Sequence, residues 1–203
     1  MNVDSEEIDK WDEESERAWK NDTLNVIFAD SVIEVLQHIL PPKAKVLDAG
    51  CGVGKHVRAF SLLDFKVTGI DQSQKAVEYA RTLNPDATII HGRLQDLPWL
   101  VDFKLIHTCA VLQHSTHERK RSILKKFYDA LTPGGYLLCA ECTFTPETLK
   151  LLKEKNPSVE FTEEWSDGYS FSEKGWKRFM KENGFNHVKT IPPWPYYLFQ
   201  VSK

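Results

Sequence analysis

Val46-Leu47-Asp48-Ala49-Gly50-Cys51-Gly52-Val53-Gly54 is the stretch on which the reading of this chain turns. An apolar run ends in an acid, and three glycines follow at alternate positions. Val57, Phe60 and Leu63 then recur at helical spacing. That order predicts a strand, a tight turn and a helix. Glycine at 50, 52 and 54 lets the backbone take positive φ and lets a ligand reach bare peptide. The unpaired amides of the helix start would face it. The plain alternative is an ordinary glycine-rich turn.

Spacing excludes two ligand classes. The dinucleotide fingerprint Gly-x-Gly-x-x-Gly places its third glycine where Lys55 stands. A triphosphate loop needs Gly-Lys-Ser/Thr after a four-residue gap, and that pattern does not follow here.

Outward from the turn, strand and helix alternate. Strands are expected at Lys45–Asp48, Lys66–Asp71, Thr88–His91, Phe103–Thr108 and Tyr136–Glu141. Ala76, Val77 and Ala80 mark one helix between them, and Ile123, Leu124, Phe127 and Leu131 another. Pro133-Gly134-Gly135 stops the latter. Thr145-Pro146 opens a helix through Leu152, and Ser172 caps a later one that Gly184 ends. His187–Ile191 and Tyr196–Val201 flank a proline-rich turn and read as a hairpin, so the last strand should run antiparallel to the rest. The fold class is therefore α/β: a Rossmann-like, doubly wound, seven-stranded, mostly parallel sheet with an antiparallel C-terminal hairpin strand. Residues 1–203 are read as a single domain. Residues 1–40 form an N-terminal helical extension or lid, 41–145 the core, and 146–203 a substrate-side insertion plus the hairpin.

Composition agrees. The 203 residues suit one domain, and an apolar fraction of 41% fits a soluble globular protein. No apolar run approaches membrane-spanning length, so no membrane partner is expected. The acidic, polar N-terminus is not a secretory signal, and a cytoplasmic location follows by default. A net charge of −3 argues against a protein built mainly to hold nucleic acid. Cys51, Cys109, Cys139 and Cys142 lack a second Cys-x-x-Cys, so a zinc ribbon is excluded and buried free thiols are expected.

Two further acids fall at strand ends. Asp71 closes Val67-Thr68-Gly69-Ile70-Asp71, about 20 residues after the glycines, where a carboxylate accepts hydrogen bonds from both hydroxyls of a ribose. Its alternative is a helix cap, a role Ser73 can fill instead. Asp96, in Gln95-Asp96-Leu97-Pro98, is placed to accept from an exocyclic amine such as adenine's. Successive strands thus deliver acids to one sheet edge.

These residues resemble the class I S-adenosylmethionine-dependent methyltransferases of the small-molecule type. The matching pieces are Leu47 to Gly54, Val67 to Ser73, Gln95 to Pro98, Val111-Leu112-Gln113-His114 and Leu131 to Leu137. The resemblance implies S-adenosylmethionine as cofactor. By position it implies that Asp48, Gly50, Cys51, Gly52 and Gly54 surround the methionine part, and that Asp71 holds the ribose. Gln72 and Asp96, with Gln95 and Leu97, would flank the adenine, and Cys109 and Ala110 would lie near the sulfonium. Lys104 departs from the Asp that often opens the fourth strand, away from the cofactor edge.

Methyl transfer from a sulfonium is an in-line displacement that needs alignment and dryness, with a base only if the acceptor must lose a proton. His114, on the loop after the fourth strand, is the candidate base or substrate contact; capping or packing is its alternative. Candidate acceptor contacts are Trp11 and Trp19 from the extension, Gln113, Glu141 at the fifth strand's end, and Tyr169 in the aromatic insertion with Trp165 and Phe171. For Glu141 a solvated strand end is the alternative, and for the aromatics core packing. No metal is expected, because His107, His114 and His117 lack a ligating pattern and His107 should face the sheet's surroundings. Arg119-Lys120-Arg121 reads as a solvated helix face. The expected function is methylation of a small-molecule acceptor. The rivals are methylation of RNA or protein, and a non-catalytic cofactor-binding regulator.

Overall fold

The structure is a computed structural model. It describes residues 3–20, 28–96, 101–141, 143–144, 150–151, 154, 165–166, 170–192 and 196–203. Side chains are described for these except 3–8, 143–144, 165–166 and 170–171.

Helices α1 (Val3–Lys20) and α2 (Asp30–Ile39) precede strand β1 (Lys45–Ala49), which runs into the glycine turn and α3 (Lys55–Leu62). β2 (Lys66–Asp71), α4 (Gln74–Leu83), β3 (Thr88–His91), β4 (Phe103–Cys109), α5 (His117–Ala130) and β5 (Leu131–Ala140) continue the alternation. After β5 come three short strands, β6 (Thr143–Phe144), β7 (Trp165–Ser166) and β8 (Ser170–Ser172). Then follow α6 (Glu173–Glu182), β9 (Phe185–Ile191) and β10 (Tyr196–Val201).

The main sheet has seven strands in the order β3-β2-β1-β4-β5-β10-β9. β1 pairs in parallel with both β2 and β4. All of β1 beyond Lys45 is buried, as a central parallel strand covered on both faces must be. β10 runs antiparallel to β5 and to β9, as the hairpin reading required. α2, α3 and α4 cover one face through Val32, Leu36, Val57, Phe60, Val77 and Ala80. α5 and α6 cover the other through Ile123, Leu124, Phe127, Trp176, Phe179 and Met180. The chain leaves β1 toward β2 on one side and later returns to place β4 on the other. A crevice opens at such a switch point, beyond the carboxyl ends of the strands.

Caps set the helix starts. The hydroxyls of Ser73 and Ser172 accept from the N–H of Ala76 and Gly175, each at 3.0 Å, which is worth about 1 kcal/mol apiece. β5 starts at Leu131, five residues before the expected Tyr136, because Leu131 already pairs with Phe103 before a register shift. Pro133 cannot donate to the ladder and Gly134 sits at φ 68°, which breaks the pairing between the two registers. Of the helix expected at 145–152 only Lys150 and Leu151 are described. Cys142, Tyr169 and the side chains of Trp165 and Phe171 lie outside the described residues. The backbone at 165–166 and 170–172 joins Thr143–Phe144 in a small second sheet that the sequence reading did not foresee.

α1 docks on α4. Trp19 stacks on Tyr79 with ring centroids 4.6 Å apart, Glu16 pairs with Lys75 at 3.3 Å, and the Ser73 hydroxyl donates to Asp12. Among the described residues no helix is long and apolar enough to cross a membrane.

Candidate active site

The glycine turn is lashed to β2 from below. The N–H groups of Gly50 and Cys51 both donate to the Ile70 carbonyl, at 2.8 and 2.9 Å. Asp71 completes the tie: Oδ2 accepts from Gly52 N at 2.8 Å and Oδ1 from Ser73 N at 2.9 Å. Burial pushes the Asp71 carboxyl above its ordinary pKa, and those two N–H groups pull it back. The glycines serve different ends. A Cβ on Gly50, at φ 77°, would stand 2.5 Å from Val111 Cγ2. A Cβ on Gly52 would meet nothing within 4 Å, so an open face of peptide lies there. Gly54, at φ 85°, lets α3 approach α4: its Cβ would fall 2.5 Å from Asn84 Nδ2 and 3.0 Å from Ala80 Cα.

A cavity enclosing about 790 Å³, its solvent-facing mouth included, opens over this turn. Of the residues singled out in the sequence, Gly50, Gly52, Asp71, Gln72, Gln95, Cys109, Ala110, His114 and Trp11 line it. Ser15, Gly92, Leu94, Val111, Ser115, Arg119 and Ile123 complete the wall and were not foreseen. Leu97 lies outside the described residues. Asp48, Cys51, Gly54, Asp96, Gln113, Trp19 and Glu141 do not line it. Cys51 is buried, and burial holds its thiol protonated. Asp96 is exposed on a short 3₁₀ turn, and Trp19 is spent on Tyr79.

Glu141 is neither a solvated strand end nor an acceptor contact at the wall. It is 4% exposed. Its Oε1 accepts from the Thr108 hydroxyl at 3.0 Å and from Val111 N at 3.4 Å, and its Oε2 from Gln113 N at 3.1 Å. Burial raises its pKa, partly offset by these donors. Glu141 thus pins the loop after β4, where Ala110 is held at φ 55° and donates its N–H to Ala140 O at 2.8 Å. The signal was available: an acid directly after the unbroken buried run Leu137–Ala140 is kept there only when donors meet it. On that loop His114 meets Trp11 edge-on, centroids 4.9 Å apart. The helix beyond is not a plain solvated face either. Arg119 lines the cavity, Lys120 is buried with Nζ donating to Ser115 O, and Arg121 lies 5.1 Å over the Phe179 ring.

His107 reverses its expectation. It is fully buried, and its Nδ1 lies 2.7 Å from Asp48 Oδ1. The parallel register sets Asp48 directly beside His107, so both side chains leave the sheet on one face. There His56, from the first turn of α3, stands with its ring 4.6 Å from that of His107. Burial, then His107, lowers the His56 pKa to about 4. His107, His114 and His117 are not brought together.

A sheet reversing at β1, with a glycine turn and a half-buried carboxylate at its carboxyl edge, defines an α/β protein of the nucleoside-cofactor-binding kind. Residues 46–135 match the family model described as a methyltransferase domain. An uncharacterised methyltransferase of Synechocystis sp. is 35% identical over 97 residues, covering 47% of this chain and 46% of that protein. The dTDP-3-amino-3,4,6-trideoxy-alpha-D-glucopyranose N,N-dimethyltransferase of Streptomyces venezuelae is 26% identical over 122 residues, 59% of this chain and 51% of its own length. The chain therefore spans about half the length of the curated relatives it matches. In fold it is similar to a TehB-like SAM-dependent methyltransferase of Corynebacterium glutamicum, with a TM-score of 0.69 at 19% identity over 94% of this chain and 98% of that one. Residues 46–135 thus match a methyltransferase domain, and the chain shares the Rossmann-like fold of solved S-adenosylmethionine-dependent methyltransferases.

Proposed function

We propose that this chain transfers the methyl group of S-adenosylmethionine to a small-molecule acceptor by in-line displacement. One observation carries the reading. A single cavity joins the Gly50–Gly52–Asp71 cradle to a second wall made by Trp11, His114 and the Cys109–Ala110 corner. The residues fit the cofactor. The half-buried Asp71 carboxylate suits ribose hydroxyls, the open peptide face at Gly52 suits the amino-acid end, and Gln72, Leu94 and Gln95 line the part of the wall left for the adenine. When bound, the cofactor supplies a methyl group already activated on a sulfonium. The protein's work is then alignment and exclusion of water. Glu141 holds the loop that carries Ala110 and His114, and α1 lays Trp11 and Ser15 over the cavity. His114 stands where it can orient the acceptor or take its proton.

Calorimetry with S-adenosylmethionine and with its demethylated product is expected to show binding, and absence of binding overturns the reading. A labelled-methyl assay on metabolite and RNA pools then sorts the acceptor. Label in RNA transfers the activity to the macromolecular class, and binding without label in any pool supports a regulator. His114→Ala is expected to cut turnover about 100-fold while cofactor Kd stays within twofold. Unchanged turnover removes His114 from the chemistry.

A further inference from the structure

Behind the glycine turn lies a cluster that methyl transfer does not use. Asp48 at the end of β1, His56 in the first turn of α3 and His107 in β4 each offer one ligand atom, and these atoms lie within 4.8 Å of one another. Asp48 is 2% exposed and His107 0%. Two of their atoms, Asp48 Oδ2 and His107 Nε2, are buried with no hydrogen-bond partner among the described residues. Buried acceptors without donors are costly, and native interiors rarely keep them unless something else meets them.

We propose that Asp48, His56 and His107 bind a divalent transition-metal ion, with Zn2+ the best match to the donor set. Two imidazoles and a carboxylate are borderline ligands. They favour Zn2+, Co2+, Ni2+ or Fe2+ over Mg2+ and Ca2+, which take oxygen shells. Three protein ligands with the remaining position left to water is a common zinc arrangement. Phe28 and Phe60 pack on His107 with centroids 5.9 and 5.2 Å away, giving the dry shell that strengthens such a site.

The 2.7 Å contact between His107 Nδ1 and Asp48 Oδ1 is a hydrogen bond, in which a proton holds two ligands together. Ligand atoms on a tetrahedral Zn2+ stand about 3.3 Å apart, given bonds of about 2.0–2.1 Å. Binding through Nδ1 therefore moves the ring proton to Nε2, which keeps the imidazole neutral, and turns the carboxylate to face the ion, with no change in oxidation state. His56 keeps partial exposure at the rim of the cluster and supplies the third ligand from α3. The ion would clamp β1, α3 and β4 directly behind the cradle, stiffening it.

The test uses the full chain, stripped with a chelator and titrated with Co2+. The visible d–d bands of Co2+ in a nitrogen–oxygen site are expected to saturate at a single ion per chain. Zn2+ at a hundredfold excess over its Kd is expected to raise the unfolding temperature by about 5–10 °C. His56→Phe and His56→Asn should both lose the bands and the shift, and His38→Ala, at an exposed histidine, should keep them. If the phenylalanine variant does not fold, the asparagine variant carries the comparison. A wild-type chain without Co2+ bands or a Zn2+ shift, or His56 variants that bind as wild type does, overturns the proposal. Neither readout involves S-adenosylmethionine, so failure of the methyltransferase reading would leave it standing.

Discussion

A Cβ added at Gly50 strikes a side chain of the loop after β4, and one added at Gly54 strikes the neighbouring helix. The two substitutions should therefore fail differently. Gly50→Leu is expected to displace Val111 and abolish cofactor binding. Gly54→Ala is expected to cost about 2 kcal/mol or more, through positive-φ strain and the contact with Ala80, while the folded fraction keeps its cofactor Kd. Urea midpoints with calorimetry on the demethylated cofactor separate the outcomes, and a Gly54→Ala protein as stable as wild type contradicts the packing role. Glu141 supplies a pH signature. Its folded pKa is raised above 4.5, so the folded state holds the proton more tightly than the unfolded state does. Its stabilising contribution is complete below about pH 4.5 and is lost as pH rises through the folded value. Glu141→Gln should remove that decline from the stability-versus-pH curve. It should also lower turnover about tenfold as the loop loosens. An unchanged curve would show that Glu141 does not titrate as its burial implies.

At the scale of elements, α1 bridges the two halves of the cavity. Asp12, Glu16 and Trp19 hold it to α4, where Ser73 caps the helix and follows Asp71. Trp11 carries it across to His114. The Glu16–Lys75 pair is exposed and worth little, which leaves the holding to Asp12, bonded by Ser73 and Lys75 N–H, and to the aromatic contacts. Trp11→Ala is expected to raise the acceptor KM about tenfold and leave cofactor affinity within twofold. A loss confined to cofactor affinity would assign Trp11 to the other wall. Most element ends were legible because local chemistry sets them: Ser73 and Ser172 cap, and Gly184 takes φ 88° at a helix end. The start of β5 was not legible, because Leu131 joins the sheet through Phe103, a partner remote in sequence.

At the scale of the whole molecule, the site exists because the sheet reverses beside β1. Alternating strand and helix patterns, the glycine turn and Asp71 about 20 residues later sufficed to place a nucleoside-type site at that edge. The structure opens a cavity there, lined from α1, the β1–α3 turn, the end of β2, the turn after β3, the end of β4 and α5. The sequence by itself determined the α/β alternation, the antiparallel hairpin at the end, the cradle and its carboxylate. These rest on periodicity and on backbone requirements that a residue carries wherever it sits. Only the tertiary structure decided that Asp48 meets His107, that Glu141 pins a loop, that Lys120 is buried and that Gly54 serves helix packing. Each of these depends on which strand or helix lies alongside. That is set by crossover and register, summed over the whole sheet, and no window of local sequence contains it.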